Sequence, residues 1–288
     1  MHLRRFANED GQLIRVVLPG HHRHPISVND ATVENDFYTA VLEDGSSSDA
    51  AEDLFGRVES ATAAALKRVV EQRIWPISGE TREALALWTA LQFLRSPAAR
   101  KQKEEVIDAV LAAHLDHAGA VPETKREQDL LSDAEYRGRI LRNEHLAGVF
   151  RLLPDAARGM MARGWWVVRF QRRSLMTSDS PVIPLAHPAD RMRRAGFESA
   201  DSIYVPLDRR AGLVMRGFRA PDREVPGTSK WALDMNYEVA RNARRCVFHH
   251  PEHDISGVPL PPPRDHEVEN IDEQVRDTRR NFIIEPGG

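Results

Sequence analysis

The stretch Arg173-Ser-Leu-Met-Thr-Ser-Asp-Ser-Pro-Val-Ile183 gathers short polar side chains between two apolar runs. Leu175-Met176 leads into Thr177-Ser178-Asp179-Ser180, and Pro181 keeps the residue before it extended. The pattern predicts a strand that ends by presenting Ser178 and Asp179 at a sheet rim, where polar groups meet a ligand. The competing explanation is an Asx turn closed by Asp179, which accounts for the same residues. A second pair, Gln92 and Arg95, lies three apart on a helical pattern that is apolar around most of its circumference. An unpaired guanidinium in that setting costs on the order of 3–5 kcal/mol. Arg95 therefore calls for a bound anion, an internal Glu or a role as helix C-cap. Two histidine runs, His21-His22-Arg23-His24 and His249-His250-Pro251-Glu252-His253, look metal-like. Pro251 is inconsistent with a continuous helix, so a site would need both runs to meet. His114 and His117 read as a polar helix end.

Other chemistries are absent from the pattern. There is no phosphate-cradling glycine loop, no nucleophile elbow and no dinucleotide fingerprint, and Ser178 has no assignable His partner. Cys246 is the single cysteine, which excludes an intrachain disulfide and a zinc site built from several thiolates. The 288 residues are 41% apolar and 29% charged, and the net charge of -3 leaves no nucleic-acid or membrane footprint on the chain as a whole. The Arg-rich clusters at 169–173, 191–194 and 241–245 read as solvated surface. No apolar run approaches the ~20 residues needed to span a bilayer. Met1-His-Leu-Arg-Arg-Phe6 carries no signal-peptide core, so a cytoplasmic location without membrane partners is expected.

The elements that must position these residues follow from periodicity. Residues 12–28 predict a hairpin turned at Pro19-Gly20. Helices are predicted from Leu54 to Val70, ended by Ile74-Trp75-Pro76; from Ser78 through Leu94; and from Ser96-Pro97 to Gly119. A capping box at Ser132-Asp-Ala-Glu135 opens a helix running to Phe150, and a short helix after Pro154 ends at Gly164 as its C′ residue. Trp165–Phe170 and Leu175-Met176 predict a hairpin across 171–174. Strands follow at Val182-Ile183, 203–207, 213–218 and 246–248, with a helix from Thr228-Ser229. The expected fold class is α+β, with a central helical region (about 50–163) packed between β-rich segments. A single integrated domain would span 1–253, from a β-rich arm (1–49) to a β-rich part (164–253). Residues 254–288, Pro-rich and charged, read as a surface strap or disordered tail.

Set in order, several of these motifs resemble a known family. They are Leu3-Arg4-Arg5-Phe6-Ala7, Glu34 with Phe37-Tyr38, Glu52 and Glu59, Gln92 with Arg95 and Pro97, Thr177–Pro181, Pro206-Leu207 and Asn236. The chain resembles the bacterial domain of unknown function numbered 4238 over roughly residues 1–250. The His-Tyr-Val-Pro type stretch that usually precedes the first motif is missing, so no role for the family's histidine carries over. Ser180 stands where the family often has Asn. The family has no established activity, so the resemblance implies an outline and candidate positions and transfers no catalytic role.

The matching positions are unusually polar, and their convergence where the central helix meets the β-rich part would form an enzyme pocket. Asp179 or Glu34 would be general base or ligand to a divalent metal, Arg95 would hold an anionic group, and Gln92, Ser178 and Asn236 would orient the substrate. A metal-assisted hydrolase acting on a phosphoester or other small anionic ligand is the reaction class this suits. The alternatives are a non-catalytic module that binds a ligand or nucleic acid, for example in defence, and a purely structural polar network.

Overall fold

The structure, a computed structural model, describes residues 2–31, 40–41, 47–48, 50–117, 129, 132–187, 189, 196–218 and 220–263. A 3-10 turn at Leu3–Phe6 precedes a hairpin of β1 (Gln12–Val17) and β2 (His22–Ser27). Gly20 in its turn has φ +108° and lies so close to Leu260 that a Cβ would sit 2.7 Å from that side chain. Only glycine meets both demands. Next come α1 (Val28–Ala31) and a two-residue pair, β3 (Ala40–Val41) with β4 (Ser47–Ser48). The helical region holds α2 (Ala50–Leu66), which runs into a π turn at Lys67–Glu71, then α3 (Gly79–Leu94), α4 (Pro97–His117) and α5 (Ala134–Met161). The remainder is β5 (Arg163–Phe170), β6 (Thr177–Ser178), β7 (Ile183–Leu185), β8 (Ser202–Pro206), β9 (Ala211–Phe218), β10 (Arg223–Gly227), α6 (Ser229–Asn242) and β11 (Cys246–His249).

The fold is α+β, with the helical region between β-rich segments as the periodicity predicts. Strand order is β10-β5-β9-β8-β7 in one sheet and β2-β1-β11-β6 in the other. Alternation along the five-stranded sheet divides its side chains between two cores. Trp165, Val167, Ile203, Val205, Leu213 and Met215 face a core built with α2, α3 and α5. Val168, Phe170, Tyr204 and Val214 face a second core with the N-terminal 3-10 turn, β1, β11 and α6. Leu85, Trp88 and Leu91 are fully buried, which makes α3 the central helix of the first core. Ile255 and Val258 are buried in the second core, while residues 264–288 lie outside the described residues.

Four local expectations are corrected. Leu175-Met176 does not fold back on β5: β5 pairs with β10 and β9, and the chain crosses after Phe170 so that β6 joins β11 in the other sheet. α5 is one helix of 28 residues with Pro154 inside it, on an exposed position. Its N-cap is Asp133, whose carboxylate accepts from the backbone of Glu135 and Tyr136. Gly164 is no helix terminus; it lies in β5, where a Cβ would stand 2.1 Å from the Ala220 carbonyl oxygen.

Candidate functional site

The polar residues singled out in the sequence form two groups on opposite faces of the five-stranded sheet. On the helical side, Arg95 is the C-cap of α3, and its Nη2 donates to Glu59 Oε1 on α2 at 2.6 Å. Gln92 lies one turn back. With its amide oriented to satisfy the network, its oxygen accepts from Arg95 Nη2 at 2.6 Å and from Trp88 Nε1 at 3.0 Å. Both competing explanations for Arg95, an internal Glu and a helix cap, are thus realised together. His2 packs edge-on against Trp88, 5.1 Å between ring centroids, and its Nε2 bonds the Pro206 carbonyl at 2.7 Å. Burial drives the His2 pKa down to about 4, and the nearby Arg5 and Arg95 charges act in the same direction.

On the other side, Asp179 is held by backbone. Its oxygens accept from the N–H groups of Arg244 (2.9 Å), Arg245 (2.7 Å) and Cys246 (3.3 Å). Asn236 is fully buried in α6; its Oδ1 accepts from the Met176 N–H and its Nδ2 donates to the Ser174 carbonyl, both at 2.9 Å. Asn242, six residues on, donates to the Ser180 and Val182 carbonyls at 2.7 and 3.2 Å. Ser178 pairs with Val247 in the β6–β11 ladder, and its Oγ accepts from the Ser180 N–H at 3.2 Å. The stretch 174–182 is therefore clasped to α6 and to the turn before β11. Asp179, Ser178 and Asn236 meet one another around backbone, not around an open pocket with Arg95 and Gln92. Glu34 lies outside the described residues.

An open cleft of about 320 Å³ lies instead between the 3-10 turn, the π turn and the β8–β9 connection, lined by Arg4, Arg5, Glu71 and Asp208. A π turn carries one extra residue per bond, and such turns recur at functional sites. Here it presents Glu71 to Arg5 at 3.2 Å and the Val69 carbonyl to Arg169 at 2.5 Å. Arg5 is largely buried, and its Nε is shielded from solvent without a hydrogen-bond partner. Asp208 Oδ1 accepts from the N–H groups of Arg210 and Ala211, closing the turn into β9. Burial raises the Asp208 pKa, against the opposing pull of those bonds and of Arg5 and Arg169. Tyr204, fully buried with an unpartnered hydroxyl, has its own pKa raised by burial and by the Asp208 charge.

In the sequence Arg4-Arg5 stands out only as part of a family motif, and Glu71 and Asp208 do not stand out at all. Nothing in their local spacing links residues 5, 71 and 208, so only the fold could. Arg169, expected among solvated arginines, is only 16% exposed and pairs with Glu224 at 2.8 Å.

The two histidine runs do not meet. Across β1, His22 stands opposite Val17 and His24 opposite Arg15, whereas His249 stands opposite Ile14, on the other face of that sheet. Among the described residues no group of three or more His, Cys, Asp or Glu side chains is placed to hold a metal ion. No helix among them is long and apolar enough to cross a membrane. The side chains of His114 and His117 lie outside the described residues.

A family model described as a protein of unknown function (DUF4238) matches residues 1–253. No curated protein and no solved structure matches the chain.

Proposed function

The chain belongs to the DUF4238 family, and from that premise we propose that it binds a small anionic ligand in the Arg4–Arg5–Glu71–Asp208 cleft and hydrolyses it as a phosphoester. The observation that carries this reading is Arg5: a largely buried guanidinium with an unpartnered Nε on an open cleft. An anion there gains charge-assisted hydrogen bonds that the protein alone does not supply. Arg4 and Arg5 hold the non-bridging oxygens, and Glu71 gives up its ion pair as the ligand enters. Asp208, its carboxyl pushed upward by burial, takes the proton of an attacking water through Oδ2, the oxygen not used in the β9 turn. A single buried cysteine suits a reducing, cytoplasmic setting.

Binding of inorganic phosphate by calorimetry, and turnover of p-nitrophenyl phosphate with and without added Mg²⁺, test the reading. Arg5→Ala is expected to weaken phosphate binding by about tenfold or more. Asp208→Asn, which keeps an oxygen for the two backbone donors, is expected to bind phosphate and lose turnover. Wild-type protein that binds no phosphate ends the proposal; binding without turnover reduces it to a ligand-binding module.

The second reading belongs to Asp179, Ser178 and Asn236. Their hydrogen bonds to backbone favour the structural network over the general-base and substrate-orienting roles.

A further inference from the structure

The second histidine run forms a tight turn at the end of β11. His249 closes the strand, and the chain then turns back so that the His253 N–H donates to the His250 carbonyl at 2.9 Å. The same carbonyl meets His249 Nδ1 at 2.8 Å. A carbonyl only accepts, so His249 carries its proton on Nδ1 and keeps a lone pair on Nε2. That nitrogen is shut off from solvent and has no hydrogen-bond partner among the described residues. Both ring nitrogens of His253 are in the same state. One carbonyl thus fixes both residues, and their enclosed ring nitrogens are left over.

The pair has the features of metal-binding imidazole. Burial keeps both rings neutral, and neutral imidazole is the form that ligates. A ligating histidine donates its other ring N–H to a carbonyl or carboxylate, as His249 does. The two ring centroids stand 5.9 Å apart with planes at 87°. Imidazoles bonded to one ion at about 2 Å each have centroids about 5 Å apart at a tetrahedral angle, and about 6 Å apart when the bonds are opposed. The separation here matches opposed bonds, which leave each ring free to rotate about the common axis. The neighbouring polar groups are already engaged. His250 Nδ1 accepts from the Glu252 N–H at 3.2 Å, and the Asp254 carboxylate accepts from the Ser256 N–H and hydroxyl at 2.8 and 3.0 Å. Among the described residues no third His, Cys, Asp or Glu completes a larger donor set.

We infer that His249 and His253 form a two-coordinate site for a soft, closed-shell monovalent cation, of which Cu⁺ is the biological representative. Donor number and charge select the ion. Protein zinc sites are four-coordinate, whereas imidazole also suits copper, and Cu⁺ accepts two opposed donors. The charged groups facing the pair are Arg23, Arg173 and Arg210, offset by Asp254. At the same distance their field opposes a divalent ion twice as strongly as a monovalent one. The bound ion ties the end of β11 to the turn that follows it, so it acts as a clip on the fold. No residue of the Arg4–Arg5 cleft takes part, and the fate of this site does not depend on that reading.

Titration with Cu⁺, held reduced by ascorbate under argon and competed with a colorimetric Cu⁺ chelator, tests the inference, with Ag⁺ as a redox-inert stand-in. Wild-type protein is expected to take up one ion per chain at this site and to shift the ring ¹H–¹⁵N signals of His249 and His253. The melting temperature should rise by about 5–10 °C when the free ion stands a hundredfold above its dissociation constant. His249→Gln and His253→Gln should each weaken uptake by more than about a hundredfold, beyond the effect of losing an orienting partner. Cys246→Ser, and His22→Gln with His24→Gln, should bind as wild type does, which separates the pair from the thiol and from exposed imidazoles. The inference is overturned by no uptake, which would leave the ring nitrogens to buried water alone. Uptake that follows Cys246 or His22 and His24 overturns it too, as does uptake that leaves the wild-type His249 and His253 signals in place, whether or not the variants fold. Zn²⁺ bound more tightly than Cu⁺ by the same two residues overturns the choice of ion.

Discussion

Asp179 shows how a polar residue with a catalytic look can be spent on backbone. Three N–H groups from residues 244–246 converge on its carboxylate. Without it they lose their acceptor at a turn that is only partly open to water. Asp179→Ala should cost on the order of 3 kcal/mol, read as a lower urea midpoint with an unchanged m-value. A variant as stable as wild type that had lost phosphate binding would return Asp179 to the ligand site. Arg95 is the milder case. Its partner Glu59 is about a third exposed, so solvent screens the pair. A double-mutant cycle with Arg95→Ala and Glu59→Gln should give a coupling of about 1 kcal/mol. A coupling near zero would mean that contacts other than Glu59, Gln92 and Phe55 among them, hold Arg95.

Among the elements, α5 carries the plainest local conflict. Pro154 sits inside a 28-residue helix, exposed, where it removes one backbone donor and crowds the preceding turn. Pro154→Ala should raise the melting temperature, with a gain of about 1–3 kcal/mol by denaturant titration. An unchanged or lower stability would mean that Pro154 itself contributes to the packing of α5 on α3. β5 illustrates the opposite demand, in which the element fits only one residue. Gly164 touches the Ala220 carbonyl, so Gly164→Ala must push the chain before β10 outward. The expected result is a protein that is less stable and exchanges its β10 amides faster, since among the described residues β10 is an edge strand paired with β5.

For the molecule as a whole, the buried histidines set the response to acid. His2, His145 and His253 have pKa values lowered to about 4, each chiefly by burial. In the unfolded chain they titrate near 6.5. Between those values the unfolded chain takes up protons that the folded one refuses, so stability is full above about pH 6.5 and falls as the pH drops toward 4. His2, fully enclosed, would contribute on the order of 3 kcal/mol of that loss, with smaller shares from the partly shielded pair. Melting temperature measured from pH 8 to 4 should decline mainly below 6.5, and His2→Gln should flatten part of the decline. A curve flat to pH 4.5 would show that these rings are protonated in the fold.

What the sequence determined by itself is what depends on neighbours in the chain. The apolar stripes of α2 and α3, the Ser78 and Thr228 caps, the β1–β2 hairpin at Pro19-Gly20 and the strands β8 and β9 all rest on contacts within a few residues. The family motifs also included Glu59, Gln92 and Arg95 among their polar positions, and the tertiary structure brings these three together. Only the tertiary structure decided what lies far apart. It sent β6 to β11 instead of β5, placed β10 on β5 although Arg223-Glu-Val-Pro-Gly227 has little strand pattern, and gave Asp179 its partners more than 60 residues away. It also brought Arg5, Glu71 and Asp208 to one cleft. Strand pairing and carboxylate solvation are settled by which backbone groups remain unbonded once the cores have closed. That is a property of the packed chain, and no local stretch carries it.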